Sequence, residues 1–177
     1  MATDIRAIPT FYKGISFRSR LEARWAIIFD QLGIDWRYET EGYDIQIEQG
    51  FSIRYLPDFV LMGGSIRCPK QLFVEVKGNM QSDDALKIEA FSQHYPIYIV
   101  GNIPQELMDI CNGIDNEFRL PYYNFQTVDG DYFGAVLGAG KNGGWGLFGA
   151  DGSYWAEMDE VKTRRAYAMA RAAHFEY

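Results

Sequence analysis

Asp58, Glu75 and Lys77 lie in the stretch RYLPDFVLMGGSIRCPKQLFVEVKG, 54–78, within two β-rich runs otherwise suited to a core. A buried charge without a partner costs several kcal/mol, so such charges pair with one another or hold a cation. Two carboxylates on adjacent strands supply hard oxygen ligands suited to Mg²⁺ or Mn²⁺. The backbone carbonyl of Val76 could add a further ligand. Lys77, one pleat from Glu75, could hold or help deprotonate a water. Hydrolysis of a phosphodiester needs a nucleophile, charge stabilisation and a metal near the leaving oxygen. This set can provide all three.

The elements that must position these groups are legible in part. SFRSRLEARWAIIFDQLG reads as an amphipathic helix, with Leu21, Trp25, Ile28, Phe29 and Leu32 on one stripe. Ser16 or Ser19 can cap it and Gly33 can end it. Glu22 falls at the stripe's edge and points towards the body of the protein, with Arg18 one turn earlier. DWRYETE and YDIQIEQGFSIRYLPDFVL read as strands, with Gln49-Gly50 as a hairpin turn and Pro57 at an edge or bulge. In QLFVEVKG, Phe73, Glu75 and Lys77 share one face while Leu72, Val74 and Val76 share the other. Ser82 is placed to cap a second helix, PIYIVG is a buried strand, and PQELMDICN is a short helix. The order helix, three strands, helix, strand, helix gives an α/β or α+β core.

From about Glu117 the chain becomes rich in Gly and aromatics, with turn signals at Asp129-Gly130, Asn142-Gly143-Gly144 and Asp151-Gly152. Short antiparallel hairpins are expected, extending the sheet or forming a small subdomain. A last helix, Asp159 to about Ala173, is expected to turn Val161, Ala168 and Ala172 inward. The expected organisation is a core over 1–116 and a hairpin-rich extension with a terminal helix over 117–177, which can pack as one domain with the core.

The 177 residues carry a net charge of −7, which counts against coating nucleic acid by bulk attraction. It does not exclude an enzyme whose carboxylates are neutralised by metal. No apolar run approaches the length that crosses a bilayer, and the first residues lack the apolar core of a secretory signal. Cys68 and Cys111 are isolated thiols, which suits a reducing cytoplasm.

LPDF, followed about seventeen residues later by VEVKG, resembles the two-part signature of the PD-(D/E)XK nuclease superfamily. The matching residues are Asp58, Glu75 and Lys77. FRSRLEARWAIIF is similar to the first core helix of small phage and prophage nucleases and of transposon-encoded endonucleases, with Glu22 as its carboxylate. The closing ARAAHFEY is also similar to the tail of those phage proteins. The resemblance covers roughly residues 12–101. It implies a restriction-endonuclease-like mixed sheet flanked by helices and Mg²⁺- or Mn²⁺-dependent cleavage of DNA. Asp58, Glu75 and the Val76 carbonyl would bind the metal, Lys77 would serve the water, and Glu22 would act through water or a second metal. Two departures stand out: DALKIEAFSQHYP lacks the glutamine-tyrosine motif of RecB-like branches, and no cysteine-rich zinc element is present.

Arg18, Arg20, Arg24, Arg164 and Arg171 are candidates for DNA phosphate contacts, against the plainer reading of a solvated helix face or local partners of carboxylates. Glu41 and Asp44 are expected on the surface, though either could line the cleft. A homodimer is compatible with a duplex cut. A rival reading is a non-catalytic protein on the same fold that binds a host protein, motivated by the acidic charge and the aromatic-rich segment after Glu117.

Overall fold

The computed structural model describes residues 8–47, 50–64, 68–107, 124–126, 132–149 and 152–175. Ser19 starts the first helix: its backbone is extended and its Oγ accepts the N–H of Glu22. Helix α1 then runs Arg20–Leu32 and ends at Gly33, whose φ of 76° suits a residue without a Cβ. Before it, β1 (Thr10–Tyr12) and β2 (Ile15–Phe17) form a small hairpin that was not anticipated. The remaining elements are β3 (Asp35–Tyr38), β4 (Tyr43–Gln46), β5 (Ser52–Tyr55), β6 (Phe59–Met62), β7 (Gln71–Val76), α2 (Ser82–Ser92), β8 (Ile97–Val100), β9 (Asn124–Gln126), β10 (Tyr132–Ala139), β11 (Trp145–Gly149) and α3 (Glu160–Ala172).

Seven strands form one mixed sheet in the order β11-β10-β9-β8-β7-β6-β3. Among the described residues only β7 and β8 pair in parallel, and α2 supplies the crossover that a parallel neighbour requires. The segment YDIQIEQGFSIRYLPDFVL divides in two. Its first part pairs as a separate β4-β5 hairpin, and β6 joins the central sheet between β3 and β7. The division falls at Leu56-Pro57, where proline cannot donate to a ladder. More strands therefore separate α1 from α2 than the three expected. Gln49, half of the expected turn, lies outside the described residues, as do most of PQELMDICN, the Asp129-Gly130 turn and Cys111. Cys68 is a free, half-buried thiol.

The sheet separates two apolar layers. On one face, Trp25, Ile28 and Phe29 of α1 and Ala166, Tyr167 and Ala170 of α3 pack over Leu72, Val74, Val76, Tyr98 and Val136. On the other, Ile88 and Phe91 of α2, with Ile45 and Tyr55 of the β4-β5 hairpin, cover Val60, Phe73, Ile97 and Ile99. The alternation expected along β7 is the observed one. Beyond residue 117, β9, β10 and β11 extend the same sheet, and Lys141–Gly144 forms the β10-β11 turn, with positive φ at Gly143 and Gly144. The fold is a mixed α+β arrangement, and no helix among the described residues is long and apolar enough to cross a membrane.

Helix α3 differs from expectation in its inward face. Val161, Ala168 and Ala172 are exposed, and Thr163, Ala166, Tyr167 and Ala170 are buried. Thr163 is polar yet buried because it completes local bonding. Its Oγ1 donates to Asp159 O at 2.8 Å and accepts the Ala139 N–H at 3.0 Å. Helix α2 is also capped differently, by Gln81, whose N–H donates to Asp84 Oδ2 at 3.3 Å.

Trp25 ties α1 to α3 and to the end of β8: it is fully buried, meets Tyr167 edge-on at 5.9 Å between centroids, and donates to Gly101 O at 2.8 Å. Trp25→Ala is expected to cost about 3–5 kcal/mol, read as a lower urea midpoint at an unchanged m-value. A loss under about 1 kcal/mol would contradict this packing.

Candidate active site

The register between β6 and β7 places Phe59 opposite Val74. Continued by one residue, it sets Asp58 opposite Glu75. The β3-β6 register likewise extends from Tyr38 and Phe59 to Glu39 and Asp58, where the Glu39 N–H donates to Asp58 O at 2.9 Å. Glu39, Asp58 and Glu75 thus form a row across three neighbouring strands. Like charges opposed across a sheet destabilise it, so this row has to be neutralised.

Asp58 and Glu75 are 3% and 5% exposed, and Glu22 is 6% exposed. Asp58 Oδ2 accepts the Val76 N–H at 2.7 Å, and Oδ1 accepts from the Arg18 guanidinium. Glu75 Oε2 accepts from the Tyr55 hydroxyl at 2.7 Å, and Oε1 lies 3.0 Å from Lys77 Nζ. Lys77 also reaches Asp84 Oδ1 at 3.1 Å, while its own N–H donates to Val100 O at 2.7 Å. The end of β7 meets the start of α1, since a Cβ on Gly78 would touch Leu21 at 3.7 Å.

Glu22 is held by three donors. Ser19 Oγ reaches its Oε1 at 2.7 Å, and the Arg18 N–H at 3.1 Å and the Tyr38 hydroxyl at 2.5 Å reach its Oε2. Part of this bonding serves the helix start, because Ser19 and Glu22 have the S-x-x-E spacing of a capping box. Tyr38 in turn packs on Phe17 at 4.6 Å and Phe59 at 5.2 Å between centroids.

Burial is the main force on the two central carboxyls. It pushes Asp58 well above the usual carboxylate range, with Glu75 and Glu22 adding repulsion that the Val76 N–H and Arg18 only partly offset. Burial also raises Glu75, against the opposing pull of Lys77 and Tyr55. For Lys77 burial works downward, yet Glu75 and Asp84 outweigh it and leave the ammonium raised and protonated. Tyr55 is raised well above its ordinary range by burial and by Glu75, so it donates as a neutral phenol.

The four residues singled out from sequence therefore converge on the edge where β6, β7 and α1 meet. Sequence reasoning missed Tyr38, Tyr55, Glu39 and Asp84. The S-x-x-E spacing was a readable signal for Ser19, but Glu39 became visible only through strand register. Glu41 accepts from Tyr43 at 2.8 Å on the surface, and Asp44 stands opposite Arg54 in the separate hairpin. Arg20 and Arg24 are on α1, two positions either side of Glu22, and so turn to the opposite side of the helix. The buried Arg24 Nε has no hydrogen-bond partner among the described residues. Arg164 and Arg171 are on α3, held by Glu160, Glu106 and Pro104 O.

The donor chemistry fits Mg²⁺ or Mn²⁺: oxygen ligands only, negative in sum, each central carboxylate oxygen keeping a second lone pair. Among the described residues no three His, Cys, Asp or Glu side chains come together as a group that could hold a metal ion. A Mg²⁺ held by one or two carboxylates and water requires no such group. No family model, curated protein or solved structure matches the chain.

A carboxyl raised in the folded state binds protons more tightly there than in the unfolded chain. Its penalty is absent below the unfolded value of about 4 and grows as pH rises towards the folded value. Without divalent metal, Asp58→Asn is expected to melt higher at neutral pH, by roughly 2–4 °C for each kcal/mol relieved. Its melting temperature should also fall less than that of the unsubstituted chain between about pH 4 and neutrality. A lower melting point for Asp58→Asn across that range would mean that the Arg18 pair outweighs burial.

Proposed function

We propose that the chain is a divalent-metal-dependent phosphodiester hydrolase acting on DNA, an endonuclease on a restriction-endonuclease-like fold. One observation carries this reading: two nearly inaccessible carboxylates, Asp58 and Glu75, face each other at the end of adjacent strands beside a protonated lysine. Such a pair is costly for stability alone, and its partners compensate it incompletely. The resemblance of Asp58, Glu75, Lys77 and Glu22 to the PD-(D/E)XK pattern supports the same chemistry. The mixed sheet with α1 and α2 on opposite faces supports the same fold.

In this reading Asp58, Glu75 and the carbonyl of Val76 hold the cation. When bound, the ion supplies Lewis acidity towards water and a phosphoryl oxygen. Val76 N–H and the Tyr55 hydroxyl fix the rotation of the two carboxylates, as outer partners of ligands do. The Lys77 ammonium, directed by Glu75 and Asp84, stabilises negative charge developing beside Glu75. Glu22, pinned by Ser19 and Tyr38, orients a water. The water oxygen would bond to phosphorus and give up a proton to solvent as the bond to the leaving sugar oxygen breaks, and that oxygen would take a proton from solvent. Arg20 and Arg24, on the far side of α1 from Glu22, would reach phosphate only where DNA lies along that helix face. Arg164 and Arg171 already have protein partners, which argues for a structural role on α3.

Purified protein is expected to cut plasmid and oligonucleotide DNA with Mg²⁺ or Mn²⁺ and to stop on addition of EDTA. Lys77→Ala and Asp58→Ala should each reduce the rate by about 100-fold or more. Absence of metal-dependent cleavage of duplex, branched and single-stranded substrates would falsify this reading.

A further inference from the structure

Arg18 is the cation beside Asp58 that a ligand set of this kind does not require. Its guanidinium contacts Asp58 Oδ1, the oxygen not used by the Val76 N–H, and its Nε pairs with Glu39 Oε1 at 2.6 Å. The side chain is 57% exposed whereas that of Asp58 is 4% exposed, so a cation on the rim reaches inward to a buried anion. Its backbone is held separately. The Arg18 N–H is shared between Glu22 Oε2 and the Tyr38 hydroxyl, each at 3.1 Å.

Glu39 is placed for the same purpose at a conformational cost. It is a non-glycine residue at a φ of 44°, in the sparsely populated left-handed region, held there through its N–H on Asp58 O. The strained turn directs its carboxylate to the guanidinium at the edge of the row. Arg18 therefore has two acceptors of different kinds: a buried one on the site and one beside it that is 26% exposed.

We propose that Arg18 is a displaceable internal counter-ion. It neutralises Asp58 while no divalent ion is bound, and it yields that oxygen and stays on Glu39 when one arrives. The proposal rests on the metal-dependent reading of the site. A guanidinium and a divalent ion on the same carboxylate oxygen repel each other, so the two states exclude one another. The coupling is reciprocal: a bound divalent ion weakens the Arg18–Asp58 pair by the same factor by which that pair weakens metal binding. Glu39 sets the balance by offering the arginine somewhere to go.

The test is Mn²⁺ affinity of the full chain, measured by electron paramagnetic resonance and calorimetry at fixed pH and ionic strength, without DNA. Arg18→Gln is expected to bind Mn²⁺ roughly 5-fold or more tightly than the unsubstituted chain. Arg37→Gln, which removes an equal charge two residues from Glu39 on β3, should change affinity less than about 2-fold, as screened surface charge does. Glu39→Gln should weaken binding, and should do so less in the Arg18→Gln background, because its effect passes through the arginine. Unchanged or weaker Mn²⁺ binding by Arg18→Gln would overturn the proposal, as would an equal gain from Arg37→Gln. If neither the unsubstituted chain nor Arg18→Gln binds Mn²⁺, and Asp58→Asn makes no difference, the metal reading fails as well. Retained binding in the unsubstituted chain with no gain in Arg18→Gln removes the counter-ion alone.

Discussion

Two carboxylates withdrawn from water on neighbouring strands impose the constraint around which this structure is arranged. Asp58 and Glu75 are opposed by strand register, and Glu75 adds to the cost that burial imposes on ionising Asp58. Every donor around them answers that cost: a backbone N–H, a phenol, a guanidinium and an ammonium. The compensation is incomplete for Asp58, whose carboxyl stays above its ordinary range. A protein selected for stability alone would place apolar groups there. The arrangement is coherent if a more strongly charged cation is the intended partner.

The fold supplies rigidity where the site needs it. Two apolar layers hold β6 and β7 from both faces, so the ends of these strands cannot splay. The start of α1 is fixed by Ser19 and Glu22, and Phe17, Tyr38 and Phe59 pack beside it, which sets the height of the Tyr38 hydroxyl. The strained backbone at Glu39 fits the same pattern. Unfavourable local conformations persist only where surrounding contacts over-determine them, and they gather at functional sites.

The part of the chain after residue 117 contributes by extension. Its strands add to the sheet edge beyond β8, and α3 lies against α1, with Tyr167 donating to Leu137 O at 3.0 Å and packing on Trp25. Helix α1 is thereby buried between the sheet and a second helix. That explains why it is apolar over much of its circumference, with Ala23, Ile27 and Ile28 all buried.

Residue order alone determined what depends on neighbours a few positions apart. The period of α1 and its stop at Gly33, the alternation that separates Val74 from Glu75, and the pairing of two carboxylates with Lys77 all belong to this kind. The face of α3 was not legible, because alanines on several sides blur its period and Thr163 is buried for its hydrogen bonds. The departure of β4 and β5 from the main sheet was equally hidden, since strand propensity does not name a strand's partner. The roles of Tyr38, Tyr55, Glu39 and Arg18 were decided only in three dimensions. Each depends on a contact spanning 16 residues or more of chain, and such contacts are fixed by register and packing, which short-range patterns do not encode.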